Sequence, residues 1–222
     1  HPQVAPWRAE ALALLASCTN LDVQLLTKRP QNVRAMVPPA WLTAWPAHIW
    51  IGCTVEDQKR AEERIPHLLR VPAAVRFLSC EPLLEELNLD PPMCPTCGGY
   101  EVALADDGAT PCCPECGDEM AFGAWLDGCA SAKQPGIAWV IVGGESGTGA
   151  RPFAVEWARE IVRQCKAEHV PVFVKQMGDH AVTLSVPGVS PPHTRWSFRA
   201  HHGADPSEWP EDLRVQEFPA TP

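Results

Sequence analysis

Apolar residues along this chain fall into brief runs separated by amphipathic stretches. Residues 22–26, 48–53, 74–78, 138–142 and 171–174 are short, mostly apolar runs, the pattern of strands buried on both faces. Between them, apolar positions recur every three or four residues, as on one side of a helix. In 7–18 the shared side carries Trp7, Ala11, Leu14, Leu15 and Cys18. In 57–70 it carries Ala61, Ile65, Leu68 and Leu69, with Pro66 expected to kink or restart the helix. In 153–168 it carries Trp157, Ala158, Ile161, Val162 and Cys165, and a shorter helix over 31–37 is stopped by Pro38 and Pro39. The first three strands start at Asp22, His48 and Ala74, an even cadence of one strand–helix unit each. Such alternation predicts parallel βαβ units. They fit a partial or incomplete (β/α) barrel of the TIM type, or an open doubly wound sheet. The barrel is preferred, because every strand here runs into polar residues and a barrel turns all those ends to one mouth.

Those ends are the candidate site. They carry Lys28 and Arg29; Thr54 and Glu56; Ser79 and Glu81; Gly143, Gly144, Glu145 and Ser146; and Lys175 and Gln176. Glu56, Glu81, Glu145 and Lys175 are the candidate catalytic groups. Thr54, Gly143, Gly144, Ser146, Lys28, Arg29 and Gln176 are candidates for holding a ligand or cofactor. Carboxylates in such a mouth hold a ribose hydroxyl, an amino group or a metal, and lysine or arginine holds a carboxylate or phosphate. Glycines 143 and 144 let the backbone turn sharply and approach a ligand closely, although an ordinary glycine-rich strand–helix turn reads the same way. Lys175 also suits a Schiff-base nucleophile of the aldolase type.

A segment of different composition interrupts the pattern. Cys94-Pro-Thr-Cys97 and Cys113-Pro-Glu-Cys116 stand fifteen residues apart, the spacing of a two-knuckle zinc ribbon. Each second cysteine is followed by a glycine, Gly98 or Gly117, so that turn N–H groups can reach sulfur. Four thiolates close the coordination sphere, which makes this zinc structural. The expected organisation is therefore a barrel core over 1–90 and 137–178, a zinc-ribbon insertion over 91–136 and an irregular strap over 179–222. In the strap, Asp205-Pro-Ser-Glu208 has the order of a helix start. His193, His201 and His202 with Arg195 and Arg199 offer an anion or metal site, against the commoner meaning of a solvated loop. Of the scattered cysteines, Cys18, Cys53 and Cys165 read as core, and Cys80, at a strand end, is the one to watch for reactivity.

The 222 residues suit one α/β domain with an insertion, and 45% hydrophobic with 20% charged content is that of a globular protein. A net charge of -9 disfavours binding to nucleic acid through the global field. No run is long enough to span a membrane and no secretion signal is visible, so a cytoplasmic setting with reduced thiols is expected. The chain opens on His1 directly into a helical pattern, which reads as an N-terminally incomplete or processed polypeptide.

The ordered motifs LLTKRP, IWIGCTVEDQ, ERIPHLL, RFLSCEPLL, WVIVGGESGTGARP, a last strand with VKQ, and WPEDLRV resemble a family of uncharacterised phage and prophage proteins. Members look like radical S-adenosylmethionine proteins with a (β/α) barrel and an N-terminal three-cysteine motif for an iron–sulfur cluster. The resemblance implies S-adenosylmethionine and a cluster as cofactors, a host-cell cytoplasm as location and a substrate of unknown class. No cysteine with that spacing precedes the first strand here, so radical chemistry is not expected of this chain by itself. An open barrel edge further implies a partner chain or a homodimer that covers it. The other class of function is a non-catalytic interaction module built on the ribbon.

Protein purified without added zinc should carry one zinc per chain, held by Cys94, Cys97, Cys113 and Cys116, by metal analysis. Cys113→Ser should lose the metal while the remainder stays folded. A metal content near zero, or disulfides within the two pairs, contradicts the ribbon.

Overall fold

The computed structural model describes residues 4–89, 103–104, 111–112, 128–129, 134–184 and 193–220. Among them, helix α1 (Ala5–Ser17) leads into strand β1 (Val23–Thr27). The short helix α2 (Val33–Met36) ends before Pro38. Then come β2 (Ile49–Thr54), α3 (Gln58–Leu69), β3 (Arg76–Cys80) and β4 (Trp139–Gly143). A two-residue strand, β5 (Phe153–Ala154), precedes α4 (Val155–Ala167), β6 (Val172–Gln176), β7 (Ala181–Leu184) and β8 (His193–Arg195). Strands β1, β2, β3, β4 and β6 form one sheet in that order, parallel throughout. The fold is mixed α/β around this five-stranded parallel sheet, which does not close into a barrel among the described residues.

Strand side chains alternate between faces, and here the two faces differ in kind. Ile51, Cys53, Leu78, Cys80, Val140, Val142, Val172 and Val174 point to one face. There they meet Ala61, Ile65 and Leu68 of α3 and Ala158, Ile161, Val162 and Cys165 of α4. The same face at the β1–β2 end receives Leu12, Leu15 and Ala16 of α1 over Val23, Leu25 and Ile49. All three long helices therefore cover one side. Each fully buried Leu or Ile contributes roughly 1.5–3 kcal/mol, which makes this face the main source of stability. The other face carries Trp50, Phe77, Trp139 and Phe173 and, among the described residues, no helix. Trp139 is their hub, 6.0 Å from Trp50, 5.8 Å from Phe77 and 6.2 Å from Phe173 between ring centroids. Gly52 lies beneath the Phe77 ring, where an added Cβ would come within 2.5 Å of Cε2.

Several expectations shift. On α1 only Leu12 is buried, while Trp7 and Leu14 are 68% and 64% exposed, so the expected face is not the packed one. This helix is apolar on most sides, and its position over the sheet margin selects the face. Helix α3 runs through Pro66 without a break. The site is near its last turn, where the lost bond is cheap to replace. The strap is less irregular than its composition suggests. β7 and β8 pair antiparallel. Trp209 and Leu213 enter the main core, and 215–217 lies along the free edge of β6 with Val174 N–H bonded to Val215 O at 2.8 Å. The helix start at Asp205 yields only a 3-10 turn, Pro206–Glu208, because Pro210 follows at once. The four ribbon cysteines lie outside the described residues, which include only two short antiparallel pairs from the insertion. No described helix is long and apolar enough to cross a membrane.

Candidate functional site

Parallel strands bring their carboxyl ends to one edge of the sheet, and the expected residues gather there in three ionic groups. The first is centred on Glu56, two residues past β2. Its backbone carbonyl accepts from Leu84 N–H at 2.9 Å. Its carboxylate accepts from Arg64 of α3 at 2.6 Å and from Lys28 beyond β1. Arg64 also donates to the Thr54 carbonyl at 2.7 Å, tying the helix to the strand end. Burial raises the Glu56 carboxyl, but the Lys28 hydrogen bond and the Arg64 charge outweigh it, leaving it below its usual value. The carboxylate and the Arg64 side chain are each 13% exposed, whereas Lys28 is 59% exposed. This group joins three elements and is a structural lock on the rim.

The second group lies on the helix-free face. Phe77 and Ser79 of β3 and Glu81 just past it follow one another at every second position, and Lys175 occupies the same face of β6. Strand β4 runs between them, and at that level it carries Gly143. A Cβ there would lie 3.2 Å from Glu81 Cδ, so the missing side chain leaves the lane through which Glu81 reaches Lys175. The Nζ–Oε2 distance is 3.0 Å. Lys175 is half exposed and ion-paired.

The third group faces the glycine-rich loop. Arg151 grips Glu145 by two parallel bonds of 2.8 Å, and its own backbone N–H adds a third. The Arg151 hydrogen bonds lower the Glu145 carboxyl to about 2. Ser146 accepts from Gln176 at 2.7 Å, and Gln176 also donates to the Gly144 carbonyl at 3.1 Å. Gly144 is required by packing: a Cβ would fall 2.2 Å from the Met177 carbonyl oxygen. Its close approach is thus to the chain itself. Thr54 is buried, and Arg29 makes no side-chain hydrogen bond or ion pair among the described residues. The expected residues share one edge, but only Glu81 and Lys175 join directly among the four candidate catalytic groups.

Arg64 and Arg151 hold the site and were not legible as such. Arg64 borders the buried row of Ala61, Ile65 and Leu68, which is a weak signal. Arg151 follows a glycine turn with none. Cys80 is corrected: it is fully buried on the helix-covered face, and burial pushes its thiol well above the usual value. Cys53 and Cys165 are likewise raised by burial to about 12, while Cys18 is half-buried. No group of three metal-ligating side chains occurs among the described residues.

The chain belongs to a family of proteins of unknown function, DUF5131, whose family model matches residues 1–205. No curated protein and no solved structure matches it.

The Glu56 lock gives a directional test. A carboxylate held below its unfolded value stabilises the fold above about pH 4.5 and loses that contribution as pH falls. Glu56→Gln should cost about 1–3 kcal/mol at pH 7 by leaving Arg64 unpaired, and the cost should shrink as the pH falls below the usual carboxylate range. Lys28→Ala should cost under about 1 kcal/mol, as an exposed partner does. Urea unfolding at several pH values measures all three.

Proposed function

We propose that this member of the family is a (β/α) barrel-type protein of the radical S-adenosylmethionine kind. In this reading the Glu81–Lys175 pair receives the amino-acid end of that cofactor. Two features support the barrel. The strands of the sheet follow one another in chain order, and α1, α3 and α4 all cover one face. A doubly wound sheet reverses its order and carries helices on both faces, whereas a barrel keeps its other face for a lumen.

The observation that carries the ligand is the ion pair itself. Ammonium and carboxylate stand close together in an α-amino acid. Glu81 can accept from such an ammonium and Lys175 can donate to the carboxylate, so the pair opens without leaving either charge alone. The magnitudes favour the exchange. A pair with one partner 53% exposed is worth under about 1 kcal/mol, while each new hydrogen bond to a charged group is worth about 1.5–3 kcal/mol. Gly143 leaves the lane that the Glu81 side chain occupies, and Ser79 lies on the same face two residues earlier. Bound S-adenosylmethionine supplies a sulfonium whose carbon–sulfur bonds can be cleaved. This chain's residues orient it.

Cys53, Cys80 and Cys165 do not fit an iron–sulfur cluster. All three are buried in the helix-covered core with raised thiols, and a cluster needs accessible thiolates. No electron-transfer step is assigned to them. The zinc expected at Cys94, Cys97, Cys113 and Cys116 enters this reading as a support for the insertion.

Isothermal titration with S-adenosylmethionine tests the proposal. Saturable binding is expected, weakened by at least about tenfold in Glu81→Gln and in Lys175→Ala, a loss of about 1.4 kcal/mol or more. Affinity unchanged in both variants, or no saturable binding, contradicts it.

A further inference from the structure

A second cleft opens beside the same rim. The turn after β6 is bound to the strap by Met177 N–H to Gly203 O at 3.1 Å and Gly178 N–H to His202 O at 2.9 Å. It is bound to the glycine-rich loop by Asp179 N–H to Glu145 O at 2.9 Å. Between this turn and residues 195–203 lies a cleft of about 330 Å³, at the small end of the roughly 300–1,000 Å³ typical of small-molecule sites.

The cleft presents three kinds of recognition. Arg195 lines it and spends one N–H on the Asp179 carbonyl at 2.7 Å, leaving the other guanidinium donors without a partner among the described residues. Ser197 adds a hydroxyl, and the backbone amides of Ser197 and Phe198 make no hydrogen bond among the described residues. These are donors for an oxyanion. Trp196 and Phe198 form the apolar wall, their rings within 9° of parallel and 6.1 Å apart. The Trp196 indole N–H, bonded to Thr183 Oγ1 at 2.7 Å, fixes that ring. Gly203 makes room for the Phe198 ring, which a Cβ would meet at 2.8 Å. Asp179 supplies the third element. Its Oδ2 takes both Gly147 N–H, at 2.5 Å, and His202 Nδ1, at 2.8 Å, while Oδ1 makes no hydrogen bond among the described residues.

Simple ligands satisfy only part of this set. A bare anion meets Arg195 but leaves the Asp179 oxygen repelling it. A cation does the reverse, and a metal finds no cluster of three ligating side chains among the described residues. A molecule that carries a phosphate, a planar ring and neutral hydroxyls meets all of it. We propose that this cleft binds a ribonucleoside 5′-phosphate, with the phosphate on Arg195 and the adjacent amides, the base against Phe198 and Trp196, and a ribose hydroxyl on Asp179 Oδ1. The inference stands on the cleft alone and does not depend on the Glu81–Lys175 reading. Because Asp179 also holds Gly147, a ligand bound here adjoins the loop that carries Glu145 and Ser146.

Isothermal titration of the full chain with adenosine 5′-monophosphate, 2′-deoxyadenosine 5′-monophosphate, adenosine and inorganic phosphate tests this. The ribonucleotide should bind saturably. Removing its phosphate, or Arg195→Gln, should weaken binding by at least about tenfold. The deoxy analogue should bind several-fold more weakly, and Asp179→Asn should reduce that preference. Glu81→Gln and Lys175→Ala should bind the nucleotide as the unaltered chain does, so this result and that of S-adenosylmethionine titration succeed or fail separately. Circular dichroism of each variant establishes that it is folded. No saturable nucleotide binding, equal affinity in folded Arg195→Gln, or inorganic phosphate binding as tightly as the nucleotide would each overturn the proposal.

Discussion

One constraint organises the molecule: side chains on adjacent positions of a parallel strand point to opposite faces, and the described helices cover only one of them. Leu78 and Cys80 therefore enter the dry core, while Phe77, Ser79 and, just past the strand, Glu81 line the other side. The same alternation puts Val174 inside and Lys175 out. A shift of one residue in β3 would bury a carboxylate and expose a core thiol, so the register is strongly fixed. The uncovered face is graded along the strands. Its lower part is the Trp50, Phe77, Trp139 and Phe173 cluster, and its upper part is polar. On this face a side chain at Gly52 would collide with the Phe77 ring, and one at Gly143 would press on Glu81.

The charges at the rim fall into two roles that follow from their exposure. Glu56 and Arg64, nearly enclosed and mutually satisfied, cannot be separated without stranding a buried charge, so they hold β1, β2 and α3 together. Glu145 is half-buried but occupied by Arg151, so it shapes its own loop. Glu81 and Lys175 form one bond between them, and one partner faces solvent. That pair is the one we propose exchanges its partner for a ligand. The strap is tied to the same rim through Asp179, Gly203 and Trp209, whose indole N–H bonds Gly203 O at 2.8 Å.

Much of this was legible in the sequence, for definable reasons. Continuous apolar runs located the five sheet strands to within about two residues, because burial on both faces leaves few other patterns. The ends moved outward where backbone pairing continued past the apolar run, as at Ser79 and Cys80. The packed faces of α3 and α4 were read correctly at Ala61, Ile65, Leu68, Ala158, Ile161, Val162 and Cys165. Helix α1 was misread, because a helix with apolar residues on most sides gives periodicity nothing to discriminate. The rim residues could be found by their position after strands. Which carboxylate meets which cation could not, since Glu81 and Lys175 are 94 positions apart and only the strand order brings them together. The strap misled in the other direction: rich in Pro and His, it nonetheless anchors Trp209 and Leu213 in the core.

The central claim is that the Glu81–Lys175 pair opens to receive a zwitterionic ligand. A crystal structure grown with S-adenosylmethionine tests it most directly. The account predicts ligand density on the helix-free face, with the ligand's amino group on Glu81, its carboxylate on Lys175 and the direct bond between the two side chains broken. Density bound elsewhere with the 3.0 Å pair intact would contradict it.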